Sequence, residues 1–390
     1  MANDFDQNVN IDGSSEYSSA DNSNSSTSGE FQTINVEREA APSANTNVSP
    51  EEAKKVKEMA KKGLSKGEIK RQSVLLIFSA IFVAYGVLFY YLPLAGWIIA
   101  FQNFKMKNKF IDSFFHSKFI GLKKFSFMFE FDVLTKAVQS TGNIFKALKV
   151  WVDDAMFIRT LRNTLGMGVL NLVSSTIMAI LFALLLNEVK NKLGKKFVQT
   201  VSYLPHFLSW IIVTAIVRDT LSSTGIINEL LRTFHVIDDS YNFFMHPLWF
   251  WPIVAISNIW KETGWNAIIY LAAITAIDPS LYEAAEIDGA GRINKIRYIT
   301  LPGIAPTIMI LLVMNIGNVL NAGFEVQYLL GNGIVQKVSQ TIDIYVLEWG
   351  IGKGDYSLGT AAGIFKSVVA IILIVIANRV AKKSGQGSLF

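Results

Sequence analysis

The sequence contains no cysteine, only four histidines and a small share of charged residues. The absence of cysteine excludes disulfides, thiolate metal sites and a thiol nucleophile. The histidines are scattered, and none of them forms a pair with the spacing of metal ligands. A GxxxxGK[ST] phosphate loop is also absent. We therefore expect neither catalysis nor a bound cofactor from this chain. The four histidines are His116, His206, His235 and His246.

Apolar residues, by contrast, make up 51% of the 390 residues, and the mean hydropathy is +0.34. This content predicts a membrane protein. The net charge of +5 is modest, and a chain this apolar gives no indication of nucleic-acid binding. Backbone groups in lipid have no outside hydrogen-bond partner, so the spans are expected to be helical. The sequence thus predicts an all-α membrane protein.

The first 71 residues differ in character from the rest. Residues 1–50 carry eight acidic residues against the single Arg38, and so few apolar ones that we predict disorder. They lack the basic start and apolar core of a signal peptide, so the tail is predicted to stay in the cytoplasm. Residues 51–71 contain eight Lys and Arg and predict a basic juxtamembrane helix. That helix either lies on anionic lipid or serves only as a solvated orientation signal.

Residues 72–390 contain six apolar stretches that are long enough to cross a bilayer. Two of them have internal breaks. Pro205 predicts a kink in the third. Lys261-Glu262 and Gly264 predict that the fourth is either bent or lined in part by protein and water. The predicted spans are residues 73–101, 163–187, 197–217, 247–277, 303–324 and 357–378.

The distribution of Lys and Arg predicts the orientation of these spans. With a cytoplasmic N-terminus, the inside segments contain eighteen Lys and Arg, and the outside segments 218–247 and 325–356 contain two each. The segment 102–162 contains eleven, against the rule, but a loop of sixty-one residues is translocated with little regard to charge. Both termini and the segment 278–302 are therefore predicted to be cytoplasmic.

A hydrophilic stretch, residues 283–302, separates the fourth and fifth spans. Before it, Asp278 can cap a helix that starts at Pro279, or Ser280 and Glu283 can form a capping box instead. Gly289 and Gly291 allow the positive φ that ends such a helix. A second turn then runs to Pro302. We predict a helix, a glycine turn and a second helix, folded as a compact unit outside the bilayer.

This stretch resembles the EAA loop of permease subunits of binding-protein-dependent ABC importers. The resemblance implies a coupling helix that docks on a separate ATPase subunit and passes its movement to the spans. The alternative is an ordinary amphipathic loop between two spans. The residues that carry the resemblance are Glu283, Ala284, Ala285, Gly289, Ile299, Leu301 and Pro302. The coupling residues that it implies are Glu283, Ala284, Ala285, Asp288, Gly289, Ala290, Leu301 and Pro302.

Polar side chains inside the spans are candidates for the solute pathway. Asn315, Asn318 and Asn321 fall on one face of the fifth predicted span, and Glu325 follows them. Their amides either line a pathway and pair with substrate hydroxyls or form hydrogen bonds between helices. Glu325 is alternatively only solvated. Four aromatic residues either stack on sugar rings or pack and anchor the spans. These are Trp210, Trp260, Trp265 and Tyr270.

Lys366 is a charged residue near the middle of the sixth predicted span. A central lysine costs at least ~2.5 kcal/mol on insertion scales, so it needs a carboxylate, carbonyls or water. Glu325 and a carboxylate of another subunit are the two candidate partners. Alternatively, the span is shifted so that Lys366 reaches the interface.

Further stretches resemble the carbohydrate branch of these permeases, in particular the Gram-positive type for complex oligosaccharides and polysaccharides. The tail before residue 70 and the loop between residues 131 and 157 are longer than is usual in that branch. The stretches are GWIIAFQNF (96–104), RNTL (162–165), SYLPHFLSW (202–210), AGFEVQYLL (322–330), IDIYVLEWG (342–350) and GIFKSVVAIILIVIANRVAKK (363–383).

The resemblance implies the type I importer permease fold with six transmembrane helices and a cytoplasmic coupling helix. It also implies partners: a second homologous permease, two ATPase subunits that bind ATP and Mg²⁺, and an extracellular solute-binding lipoprotein. The predicted function is a permease subunit for an oligosaccharide or polysaccharide in the plasma membrane of a Gram-positive bacterium. The alternatives are another solute class and a self-sufficient secondary transporter, although no internal repeat is evident.

Overall fold

The computed structural model describes residue 67, residues 73–106, residues 109–383 and residue 385. The predicted tail (1–50) and, apart from residue 67, the predicted basic helix (51–71) lie outside the described residues. Contacts divide the chain into Met1–Ser79 and Ala80–Phe390, and the packing below belongs to the second unit. The regular structure of the described part consists of helices, joined by turns and loops, and of one isolated β-bridge between Gln102 and Phe119.

The first apolar stretch is helical over its whole predicted length, 73–101. It starts as α1 (Ser73–Gly86), continues as a π-helical turn (Val87–Tyr91) and ends as a 3₁₀ helix (Leu92–Phe101). Most of its apolar side chains are exposed, as expected for a helix that faces lipid. Four short helices follow it. They are α2 (Phe110–His116), α3 (Lys123–Phe129), α4 (Phe131–Thr141) and α5 (Ile144–Asp154).

The later helices form the body of the molecule. Two of the described helices, α6 and α10, pack side by side, and each carries more buried residues than any other described helix. In chain order, the α-helices of the body are α6 (Met156–Glu188), α7 (Lys192–Tyr203), α8 (Trp210–Thr220), α9 (Ile226–Thr233), α10 (Pro247–Thr275), α11 (Pro279–Ile287), α12 (Arg292–Lys295), α13 (Leu301–Ile316), α14 (Phe324–Leu330), α15 (Gln336–Ser339), α16 (Ile342–Tyr345) and α17 (Tyr356–Lys383).

The third predicted span, 197–217, is broken rather than kinked. After α7 the chain makes a 3₁₀ turn (Leu204–Phe207), and the direction then changes by 103° before α8 continues. The break lies at Leu208, which is extended (φ −75°, ψ 140°) and whose N–H donates to the Pro205 carbonyl. Ser209 Oγ caps the new helix by accepting from the Ile212 N–H at 3.4 Å.

The fourth predicted span, 247–277, is not bent at Lys261-Glu262. Of the two predicted alternatives, the structure agrees with the second, since protein surrounds Lys261, which is only 5% exposed. α10 runs unbroken through these residues and Gly264, and the 69° bend follows it, before α11. Lys and Glu are good helix formers, and their charges find partners inside the protein, so they do not interrupt the helix. The predicted break therefore lies at the end of the span.

The fifth predicted span, 303–324, is shorter than predicted at one end and longer at the other. α13 ends at Ile316, and the chain beyond it forms a turn (Val319–Asn321). At its start, α12 continues through a π-helical turn (Ile296–Thr300) into α13. The second helix of the hydrophilic stretch is thus part of a 25-residue helix and not of a separate compact unit.

The described residues contain four helices that are long and apolar enough to cross a membrane, or up to six if each bent pair is one span. The bent pairs are the broken third span and α10 with α11. The sixth predicted span, 357–378, lies within α17. The segment count therefore agrees with the six predicted spans when each bent pair is counted once.

Two glycines allow backbones to approach closely at the centre of the bundle. A Cβ on Gly168 would lie 1.9 Å from the carbonyl oxygen of Val319, and one on Gly264 would lie 2.1 Å from that of Ser202. In both cases the obstacle is backbone, which cannot rotate away like a side chain. These contacts hold the turn after α13 against α6 and the broken span against α10.

We predict that Gly168→Val lowers the stability of the folded protein by about 1–3 kcal/mol, because the added side chain collides with a backbone carbonyl. Thermal unfolding in detergent measures this effect. The matched control is Gly363→Ala in α17, where a Cβ meets no atom within 4 Å. Equal stability of both variants would contradict the close packing of α6.

Candidate coupling surface and solute pathway

α11 is the helix that the sequence predicted before the glycine turn. Asp278 caps it, since its Oδ1 accepts the Ser280 N–H at 2.9 Å. This backbone hydrogen bond, with a further bond from the Ser280 hydroxyl, lowers the pKa of the Asp278 carboxyl. The cap, and not the alternative box from Ser280 and Glu283, therefore starts the helix.

Gly289 ends α11 as predicted, because it adopts φ +74°. The Ala290 N–H then donates to the Ala285 carbonyl at 2.8 Å, which closes the helix end. Gly291 does not share this role: its φ is −68°, and it is the extended residue before α12. The prediction of positive φ at Gly291 is wrong, because one left-handed residue already reverses the chain.

The unit formed by α11, the Gly289 turn and α12, called here the coupling unit, presents apolar side chains to solvent. Leu281, Ile287 and Ile293 are 52%, 88% and 79% exposed. Such a surface on a capped, well-formed helix indicates a protein-binding site. Of the residues in the predicted motif, Glu283, Ala284, Asp288, Gly289 and Pro302 are exposed, while Ala285, Ala290 and Leu301 are half-buried.

Side-chain contacts connect the coupling unit to the membrane helices. The Tyr282 hydroxyl and Thr300 Oγ1 form a hydrogen bond at 2.9 Å. Within the unit, Lys295 Nζ lies 3.4 Å from Glu286 Oε2. Arg292 Nε lies 3.9 Å from Glu188 Oε2 at the end of α6. The Tyr282–Thr300 bond ties α11 to the helix that continues into α13, whereas the exposed Arg292–Glu188 pair is only a weak link to α6.

A polar cavity of about 270 Å³ lies between α6, α10 and the end of α13. Amide and hydroxyl side chains dominate its polar lining, and Glu262 is the one charged side chain among the described residues that line it. The lining residues are Gly168, Asn171, Leu172, Ser175, Thr176, Trp210, Asn258, Glu262, Asn266, Asn315, Asn318, Val319, Asn321, Ala322, Gly323 and Val326.

The three predicted asparagines all line this cavity, but not as a stripe on one helix. Only Asn315 lies in α13, while Asn318 and Asn321 lie in the turn that follows. Asn321 Nδ2 donates to Asn318 Oδ1 at 3.1 Å. The sequence placed these three asparagines together by their helical spacing. They stay together in the structure because a 3₁₀ turn has a similar spacing of three residues.

The sequence did not predict that three polar residues of α10 line the cavity together. Asn258, Glu262 and Asn266 are four residues apart, so they lie on one face of α10 and oppose the asparagines near α13. Asn266 Nδ2 also donates to Ser175 Oγ on α6 at 3.2 Å. The i, i+4 spacing of polar residues was the available signal.

The other predicted pathway residues are divided among different surroundings. Trp210 lines the cavity, and Glu325 is exposed outside the cavity lining. Trp265 stacks on the His206 ring, with centroids 4.4 Å apart. Trp260 lines a separate apolar pocket. Tyr270 is 3% exposed and packs in an apolar cluster, which favours the packing alternative for this residue.

Lys366 pairs with Asp343 and not with the predicted partner Glu325. Its Nζ lies 2.6 Å from Asp343 Oδ1, and the two side chains are 19% and 29% exposed. Asp343 belongs to α16, a helix of four residues within the predicted outer segment 325–356. Since that segment folds back against α17, a carboxylate 23 residues away in sequence reaches the lysine.

The sequence profile of the family described as "Binding-protein-dependent transport system inner membrane component" matches residues 175–385. This range includes the coupling unit, Lys366 and the cavity residues Asn315, Asn318 and Asn321. The chain belongs to this family. It is therefore a multi-pass inner membrane component of a binding-protein-dependent transport system, and the prediction of an importer permease is confirmed.

Several curated relatives of this inner membrane component transport carbohydrates. It is 41% identical to the Bacillus subtilis polygalacturonan/rhamnogalacturonan transport system permease protein YteP, over 78% of this chain and 87% of the relative. It is 38% identical to Protein LplB of the same organism, over 85% of this chain and 96% of the relative.

A solved structure confirms the predicted type I permease fold. A chain of a bacterial ABC transporter involved in the import of the acidic polysaccharide alginate superposes with a TM-score of 0.69. The two chains are 36% identical, and the match covers 81% of this chain and 98% of the other. A second structure, of the alginate transporter with an alginate pentasaccharide-bound periplasmic protein, gives a TM-score of 0.70 at 35% identity, over 83% of this chain and 99% of the other.

We predict that Lys366→Met lowers stability by about 1–3 kcal/mol, because it leaves the Asp343 carboxylate without its charged partner. Adding Asp343→Asn should restore part of the loss, since the unpaired charge is then removed as well. Unfolding midpoints in detergent measure both effects. Glu325→Gln is the control and should change stability by less than about 0.5 kcal/mol. A larger loss in Glu325→Gln than in Lys366→Met would contradict the assigned pair.

Proposed function

We propose that this chain is one permease subunit of an ATP-driven importer for an oligosaccharide or polysaccharide, and that the polar cavity is part of the pathway. The observation that carries the proposal is the pairing of an amide-lined cavity with an exposed coupling unit on the same helices. Amides and hydroxyls suit sugar hydroxyl groups, because they both donate and accept hydrogen bonds. The names of the relatives support the same class of solute.

ATP hydrolysis is assigned to partner subunits and not to this chain. Two ATPase subunits would hold ATP and Mg²⁺ and bind the exposed apolar side chains of the coupling unit. A second homologous permease would complete the pathway, and an extracellular lipoprotein would deliver the sugar. The coupling unit and both termini would then face the cytoplasm of a Gram-positive bacterium, with membrane lipid around the spans and no nucleic acid as partner.

Copurification distinguishes this function from the alternatives. Pulling down the chain from its own membrane should recover an ATPase and a second permease. A secondary transporter would instead support ion-coupled uptake without nucleotide. If the complex imported another class of solute and no sugar, the assignment as an importer would stand and only the proposed substrate would be wrong.

We predict that Gly289→Val abolishes uptake while the complex still assembles and inserts. A β-branched residue is strained at φ +74°, so the turn after α11 shifts and the coupling unit no longer matches its ATPase. Uptake in vesicles and recovery of the ATPase by copurification measure the two properties.

The matched control for that variant is Gly291→Ala, two residues away. Gly291 has φ −68°, and a Cβ there meets no atom within 4 Å, so uptake should be retained. Full transport by Gly289→Val, or equal loss in both variants, would refute the coupling role assigned to the Gly289 turn.

We predict that Asn318→Leu reduces uptake of the accepted glycan by about tenfold, the effect of losing about one hydrogen bond to a sugar hydroxyl. A panel of neutral and acidic oligosaccharides, tested in vesicles with ATP, identifies that glycan. Glu325→Gln, outside the cavity lining, is the control and should transport normally. Normal uptake by Asn318→Leu would remove the cavity from the pathway.

A further inference from the structure

The break in the third span is held by two consecutive residues of α10. Lys261 Nζ donates to the His206 carbonyl oxygen at 2.5 Å, and the His206 ring contacts Glu262 Oε2 through Nδ1 at 2.8 Å. Lys261 Nζ also lies 3.5 Å from Glu262 Oε1. The 3₁₀ turn that contains His206 is thus attached to α10 through its backbone and its side chain.

Lys261 and Glu262 make different kinds of contact. Lys261 is only 5% exposed, and its bond to a carbonyl satisfies a backbone group that the break leaves free. The Glu262 side chain is 22% exposed and lines the polar cavity. A carboxylate only accepts hydrogen bonds, so an ionised Glu262 pairs with the His206 tautomer that donates from Nδ1. Lys261 therefore has a structural role, while Glu262 faces both the break and the cavity.

A solute in the cavity would compete for the Glu262 carboxylate. Ionised carboxylates have about four lone-pair sites, and they form stronger hydrogen bonds than neutral acceptors do. Asn258 and Asn266, one turn to either side on the same face of α10, would hold a sugar ring next to it. Glycan hydroxyls are donors that can replace the His206 N–H.

We propose that Glu262 exchanges partners during transport: in the empty pathway its carboxylate holds His206, and in the occupied pathway it accepts glycan hydroxyls and releases the broken span. This inference rests on the proposed function, because it requires a glycan in the cavity. Glu262 is then the residue that links glycan binding in the cavity to the break between α7 and α8.

The exchange predicts opposite effects of two substitutions on glycan binding. Glu262→Gln removes the charged acceptor, so binding weakens by about tenfold. His206→Phe keeps a ring that can stack on Trp265 but removes the competing donor, so binding tightens. A residue that only held the fold together would give weaker binding, or no change, in both variants.

The experiment uses the complete importer complex in lipid nanodiscs, without its binding protein. Tetragalacturonate and galactotetraose are the acidic and neutral probes, and calorimetry gives their affinities for wild type, Glu262→Gln and His206→Phe. Asp355→Asn is the matched control: it breaks another ion pair, Lys124–Asp355 at 2.6 Å, whose residues do not line the cavity, and it should leave affinity unchanged.

A second measurement follows His206 directly. The ring ¹⁵N resonances of His206 are assigned by their loss in His206→Phe. In wild type they should shift when the tetrasaccharide that binds is added. They should not shift in Glu262→Gln, where the charged partner is already absent. Absence of a shift in wild type with bound probe would overturn the exchange.

The outcomes separate this inference from the proposed function. Opposite shifts in affinity for at least one probe support the exchange. Equal shifts, or unchanged affinity in Glu262→Gln while Asn318→Leu weakens binding, overturn the role of Glu262 and leave the cavity in the pathway. If neither probe binds to wild type, both the exchange and the cavity as a glycan site are rejected.

Discussion

The structure depends on one constraint: a polar backbone group that leaves a regular helix inside an apolar bundle has to find another partner. The irregular chain between α14 and α17 shows how this is met. Asn163 on α6 donates from Nδ2 to the carbonyls of Lys337 and Gln340, at 3.0 and 3.1 Å. Thr164 Oγ1 accepts the Ile342 N–H at 2.9 Å. Regular helices thus supply the hydrogen bonds that the irregular segments lack.

The same constraint explains why the functional groups lie where they do. The turn after α13 can approach α6 only because Gly168 has no side chain, and this turn carries two of the cavity asparagines. The break in the third span needs Lys261 for a free carbonyl, and the adjacent Glu262 is thereby placed at the cavity wall. Irregular backbone and polar lining therefore arise together.

Continuity of helices links the coupling unit to the cavity. α12 passes without a break into α13, whose far end carries Asn315, so one rigid element has the coupling unit at its start and the cavity at its end. The bond between Tyr282 and Thr300 ties α11 to the same element. The proposed coupling role requires such a connection, because coupling between sites is carried by chains of packed residues and by rigid secondary elements.

The sequence by itself determined the helical membrane class and the turn at Gly289, because these follow from composition and from neighbours within a few residues. It narrowed the start of α11 to two caps, and the structure decided for Asp278. It also grouped the cavity asparagines, through spacing along one segment. Only the tertiary structure decided that Asp343 pairs with Lys366 and that Glu262 meets His206. Those partners are 23 and 56 residues apart, and no local pattern encodes how a broken span or a re-entering loop returns to a distant helix.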